Sequence, residues 1–154
     1  MDPTLAWMAA LPAAEFLRSS AWAYPLAEVV HIVGLALLVG SVFVVDLRLM
    51  GAGRALPLHA LMRFVLPWTL ASLLLVVPSG LLLFLAHAPE LAANAAFRIK
   101  LALLMLAALN AWYFHRYSKG TADAKSVARG RQAGWISLTR WLSIIAAGRL
   151  IAYV

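Results

Sequence analysis

The sequence contains no cysteine, which excludes disulfides, thiolate metal sites, iron–sulfur clusters and covalent c-type haem attachment. Acidic residues are nearly as scarce, with six Asp plus Glu against thirteen Lys plus Arg. There is no paired-carboxylate site, no glycine-rich phosphate loop and no nucleophile triad, so hydrolase chemistry has no support. Charged residues of both signs make up 12% of the 154 residues, about half the roughly 25% of an ordinary soluble domain. What fills the chain instead is apolar: 64% is hydrophobic and the mean hydropathy is +0.88. That leaves too little polar surface to cover a water-soluble globule and reads as an integral membrane protein. The net charge of +7 and pI near 10.6 do not indicate a nucleic-acid binder, because the basic excess sits in short loops, where it sets topology.

Four apolar runs divide the chain. Val29 to Val45 carries no charge, and extension at both ends predicts a first span over about 24–49, enough for roughly 30 Å of hydrocarbon. The second span, about 62–88, includes the charge-free run Phe64 to Ala88, with Pro67 and Pro78 inside it and a kink expected at Pro78-Ser79-Gly80. A third is expected over about 95–117. It takes Arg98 and Lys100 into the helix, because Leu101 to Phe114 alone is too short. The fourth, about 133–154, contains Arg140 and Arg149, which must snorkel or find partners.

Lys and Arg decide the orientation. Arg48, Arg54 and Arg63 follow the first span, and Arg116, Lys119, Lys125, Arg129 and Arg131 follow the third. The positive-inside rule puts these loops in the cytoplasm and both termini outside. The first 23 residues lack the basic start and cleavage pattern of a signal peptide and read as an amphipathic interfacial segment. Residues 119–131 read as a polar cytoplasmic loop.

Any chemistry must come from polar groups that apolar spans do not need. Helical rise places His31 roughly 10 Å below the outer end of the first span. Lys100, Arg149 and His87 fall in the same outer half, together with Glu28. His59 and His115 belong to the opposite level, too far from His31 to share one haem with it, and are candidates for a second site or interfacial histidines beside basic loops. Imidazole suits haem iron, copper or zinc. A porphyrin between helices needs nitrogen ligands, small neighbours and cations for its propionates. In the outer cluster His31 is the first candidate ligand, Lys100 or His87 the opposite one, and Arg149 the propionate partner. Gly34, Gly40 and Ser41 form a narrow stripe that fits a flat ring or a close helix. The bland alternative pairs Glu28 and His31 with Lys100 and Arg149 as a structural network. At the other end of the first span, Asp46-Leu47-Arg48 reads as a local pair or a cap. The five methionines lack the spacing of a Cu(I) relay.

The segments YPLAEVVHIVGLALLVGSVFVVDLRLMG, LPWTLASLLLVVPSGLLLFLAH, FRIKLALLMLAALNAWYFH and AAGRLIAYV together resemble a family of four-span bacterial membrane proteins of unknown function. The resemblance covers the chain from Tyr24 onward. More distantly, a His in the first span, Arg after it, Pro and Gly in the next, and Lys followed by His is similar to the HemJ-type protoporphyrinogen oxidases and the CopD copper-resistance family. That resemblance implies His31 and Lys100 as haem b ligands, with His115 matching the terminal His. Phe97-Arg98-Ile99-Lys100 departs from the Trp-rich start of the HemJ-type pattern.

The expectation is therefore an all-α, four-helix membrane bundle with an N-terminal interfacial segment and both termini periplasmic, in a bacterial inner membrane. The leading functional expectation is haem b binding for electron transfer or haem handling, with turnover left open. The alternatives are an accessory or anchor subunit of a larger membrane complex and, third, copper or other metal transport through His31, Lys100, His59 and His115. The lipid bilayer is the first partner, with redox subunits or further copies of the chain as candidates.

Overall fold

The computed structural model describes residues 3–117, 124–151 and 153, with side chains throughout except at 113–117, 124–127 and 129. Every regular element among them is helical: α1 (Pro3–Ala9), α2 (Pro12–Ser19), α3 (Ala23–Met50), α4 (Leu58–Ala86), α5 (Ala88–Ala93), α6 (Ala95–Tyr117) and α7 (Ala124–Leu150). Three stretches are long and apolar enough to cross a membrane, Ala23–Met50, Leu58–Ala86 and Ala95–Trp112. Their side chains bear this out: Leu74 is 76% exposed, Phe64 70% and Met105 64%. A surface of that kind is untenable in water and normal against lipid. The chain is a membrane protein.

Local chemistry sets the breaks between helices. Pro12 opens α2 at its first turn, where a missing N–H costs nothing. Ser20 then accepts hydrogen bonds from the backbone N–H groups of Ala23 at 3.2 Å and Trp22 at 3.4 Å, satisfying orphan donors at the start of α3. The turn from α3 to α4 runs through Gly51 and Gly53 with φ of 109° and 58°, the left-handed region that favours glycine. Arg48 closes this turn by donating from Nε to the Leu56 carbonyl at 2.7 Å and from Nη2 to the Arg54 carbonyl at 3.4 Å. The local Asp46–Arg48 pair expected from sequence does not form, because residues two apart on a helix do not face each other and the turn carbonyls take the guanidinium. α4 remains one helix through Pro67 and Pro78.

α7 begins at Ala124, so residues 124–131, expected as loop, are helical; residues 118–123 lie outside the described residues. Hydropathy reads this stretch as polar, yet Ala, Lys and Arg are good helix formers.

The chain divides into two compact units, Met1–Gly40 with Leu66–Asn94, and Ser41–Val65 with Ala95–Val154. In the first, Ala14 and Leu17 of α2 are buried together with Ala86 and Ala88. Arg18 donates to the Ala86 carbonyl at 3.0 Å and the Ala9 carbonyl at 2.7 Å, placing one cation on the C-terminal carbonyls of α4 and α1. In the second unit α6 lies along α7, and α7 meets the end of α3 through glycines. A Cβ at Gly134 would stand 3.0 Å from the Asp46 carbonyl oxygen and 3.1 Å from Met50 Cγ, and one at Gly130 would stand 3.7 Å from Leu49. Gly130 and Gly134 have the spacing that lets membrane helices approach closely.

Candidate functional site

Within the first unit the polar centre is His31 on α3, facing the Pro78-Ser79-Gly80 turn of α4. Pro78 has no N–H for the ladder, and carbonyls beside an intramembrane proline are re-satisfied by side chains. Ser79, 4% exposed, donates its hydroxyl to the Leu75 carbonyl, with the Val76 carbonyl at 3.3 Å. His31 Nδ1 lies 3.1 Å from the Val76 carbonyl oxygen and 3.0 Å from Ser79 Oγ. A carbonyl only accepts, so Nδ1 carries the hydrogen and donates it. In the neutral ring Nε2 then bears the lone pair, which is the tautomer that binds metal.

Glycines make room for this arrangement. A Cβ at Gly80 would stand 2.9 Å from His31 Cε1, so the imidazole rests on bare backbone. A Cβ at Gly34 would stand 2.8 Å from Val76 Cγ2 and 2.9 Å from Leu75 Cβ. Of the two occupants the small-residue stripe allowed, a flat ring or a close helix, the space at Gly34 holds the helix. Gly40 has nothing within 4 Å of its Cβ position.

His87 belongs to the same unit. It is exposed at the N-cap position of α5, and its ring meets Tyr24 edge to face, with centroids 5.4 Å apart at 87°. Glu28 is exposed on α3.

The other candidates lie in the second unit. Lys100 of α6 is half-buried, its stem and ammonium lying over Gly148 of α7 with Nζ 3.7 Å from the Cβ position there. Arg149 donates to the Tyr153 hydroxyl at 2.6 Å, and its guanidinium lies 4.8 Å from the Tyr153 ring centroid. This residue four positions on was readable from the sequence as a helical neighbour. Arg140 donates to the Leu106 carbonyl at 3.4 Å. His59 is exposed in the first turn of α4. His115 lies on α6 with its side chain outside the described residues. Among the described residues no three His, Asp or Glu side chains gather in a way that could hold a metal ion.

Three features escaped the sequence reading. Ser79 and Gly80 were legible as a kink but not as the seat of His31, because that contact depends on the register between two helices. The glycine pair at 130 and 134 was visible as a spacing, hidden among Arg129 and Arg131. Asp46 reaches Ser137 on α7, a non-local partner that no spacing reveals.

Residues 21–154 match the family of unknown function DUF6644, a match that starts just ahead of α3 and takes in the His31 turn, Lys100, Arg149 and Asp46. No curated protein and no solved structure matches the chain, and no match supports a similarity to the HemJ-type or CopD groups. The chain belongs to DUF6644, a family of unknown function.

Proposed function

We propose that this protein binds haem b through His31 and serves electron transfer or haem handling in a bacterial inner membrane. The observation that carries the reading is the hydrogen bonding of Nδ1. A ligand histidine characteristically donates its second ring nitrogen to a backbone carbonyl or similar acceptor, which fixes the tautomer and raises the basicity of the ligating nitrogen. His31 does this with a single Nδ1–H shared between the Val76 carbonyl and Ser79 Oγ. His87, in the same compact unit as His31, is the candidate second ligand. In this reading α7, 27 residues long, is the fourth span, the basic residues of the α3–α4 turn and those between 116 and 131 are cytoplasmic, and both termini are periplasmic. The HemJ-type resemblance points to the same His31.

The test is a reduced-minus-oxidised absorbance spectrum of protein purified from haem-replete cells, with haem quantified per chain. Soret and α bands lost in His31→Ala and kept in His115→Ala support a haem at His31. Folded wild-type protein without a Soret band sinks the reading.

A second reading has its own observation. The His31 ring packs on Gly80 while both hydrogen bonds of Nδ1 close α3 against α4, which is what a helix lock needs. On that reading the chain is an accessory or anchor subunit of a membrane complex. Partners then co-purify with it, and His31→Ala lowers stability without altering any absorbance.

A further inference from the structure

Asp46, in the second unit, is one of the two acidic residues of α3 and is 4% exposed. Ser137 of α7 donates its hydroxyl to the carboxyl. The other oxygen, Oδ2, is buried with no hydrogen-bond partner. Gly134, almost one turn before Ser137, brings the α7 backbone against the same turn of α3, with a Cβ position only 3.0 Å from the Asp46 carbonyl oxygen. A side chain at 134 would hold the two helices apart.

Among the described side chains no cation pairs with Asp46; those of Lys125 and Arg129 on α7 lie outside the described residues. Arg48, on the same helix, donates to the Leu56 and Arg54 carbonyls. Arg140, on α7, donates to the Leu106 carbonyl. Arg131 on α7 and His59 and Arg63 on α4 are exposed. A carboxylate buried at membrane depth with no cation beside it among the described residues is expensive, and intramembrane acids of this kind mark ion or proton pathways. One carboxyl and one hydroxyl are too few ligands for a metal ion, since calcium takes about six to eight oxygens and magnesium about six. A proton needs only the orphan oxygen.

We propose that Asp46, seated by Ser137 and Gly134, is a proton-binding site of this protein. On loading, an O–H bond forms at Oδ2 and the carboxylate charge is neutralised; on release the proton leaves from the same oxygen. Ser137 keeps its own hydrogen and holds the other oxygen throughout. The site stands independently of haem at His31.

The experiment uses full-length protein reconstituted in phospholipid vesicles at neutral pH. Its infrared spectrum should contain the C=O stretch of a protonated carboxylic acid, shifted in D2O, lost in Asp46→Asn and displaced in Asp46→Glu. In parallel, dicyclohexylcarbodiimide adds to a protonated acid: the acid proton passes to a carbodiimide nitrogen and the carboxyl oxygen bonds to the central carbon. Rearrangement then gives a stable N-acylurea. Peptide mapping of wild-type protein should place this adduct on Asp46, which requires no variant to fold. Either signal assigned to Asp46 supports the proposal. Folded protein with neither overturns it, as does protection of Asp46 by sodium ions at constant pH, which would make the site one for a metal cation.

Discussion

Gly80→Ala is the sharpest perturbation of the His31 site, because the structure fixes both what the new methyl meets and how far it can retreat. The Cβ would stand 2.9 Å from His31 Cε1, and the three nearest side-chain atoms all belong to His31. Carbon atoms sit comfortably at about 3.5–4.0 Å, so the ring must back away by about 0.6 Å or more. The ring is held to the same helix by Nδ1 bonds of 3.0 and 3.1 Å. A retreat of that size stretches both to about 3.6 Å, beyond the range of a hydrogen bond. Each such bond within a membrane is worth about 0.6 kcal/mol on average, and overpacking costs roughly 1–3 kcal/mol. Against this stands the helix gain of alanine over glycine, about 0.5–1 kcal/mol. The net expectation is destabilisation by about 1–3 kcal/mol. The assay is a double-mutant cycle with His31→Ala, read as detergent-solubilised unfolding monitored by circular dichroism. In the His31→Ala background the clash is gone and only the helix gain remains, so Gly80→Ala should become neutral or stabilising. A coupling energy of about 1–3 kcal/mol is expected for residues in contact. Equal effects of Gly80→Ala in the two backgrounds would refute the placement of the ring.

Two glycines on α3 should behave oppositely. Gly34→Ala drives a Cβ to 2.8 Å from Val76 Cγ2 and 3.2 Å from the Val76 backbone nitrogen and should cost about 1–3 kcal/mol, whereas Gly40→Ala meets open space and should gain about 0.5–1 kcal/mol; thermal midpoints of the two variants check this. Orientation is testable because the chain has no native cysteine. Single cysteines at Ala10 and Ala52 should react with a membrane-impermeant maleimide from opposite faces of intact cells and inverted vesicles, with Ala10→Cys labelled from outside. Labelling of both from the same face would reject the topology.

The sequence reading and the structure agree where physics is local and part where it is not. Two of the three apolar helices follow from run length alone, because the hydrocarbon thickness sets a minimum that Val29–Val45 and Phe64–Ala88 approach or meet without charge; the third needs Arg98 and Lys100 taken into it. The start of α7 was missed because hydropathy records polarity, not helix propensity. Within the candidate site, His31 stands out as a histidine in an apolar run, but its acceptors lie 45 and 48 residues away. That pairing depends on how α3 and α4 are rotated and shifted, which composition does not encode. The Gly34 stripe was ambiguous for the same reason: small residues advertise close approach without naming what approaches. Arg149 shows the reverse, since its partner Tyr153 was in plain view at helical spacing.

The Arg48 clasp separates two properties that are usually lost together. Its guanidinium is tied to the neutral carbonyls of Leu56 and Arg54, so holding the turn does not cancel its charge. Had Asp46 captured it, the pair would have left the turn one positive charge poorer. Instead the residue that shapes the hairpin still counts in full toward the electrical bias by which an inserting chain is sorted to one side of a bilayer. Arg48→Lys would preserve that bias while forfeiting the planar fork that reaches two carbonyls. Insertion direction and hairpin geometry, both served by one side chain, can therefore drift independently as the sequence changes.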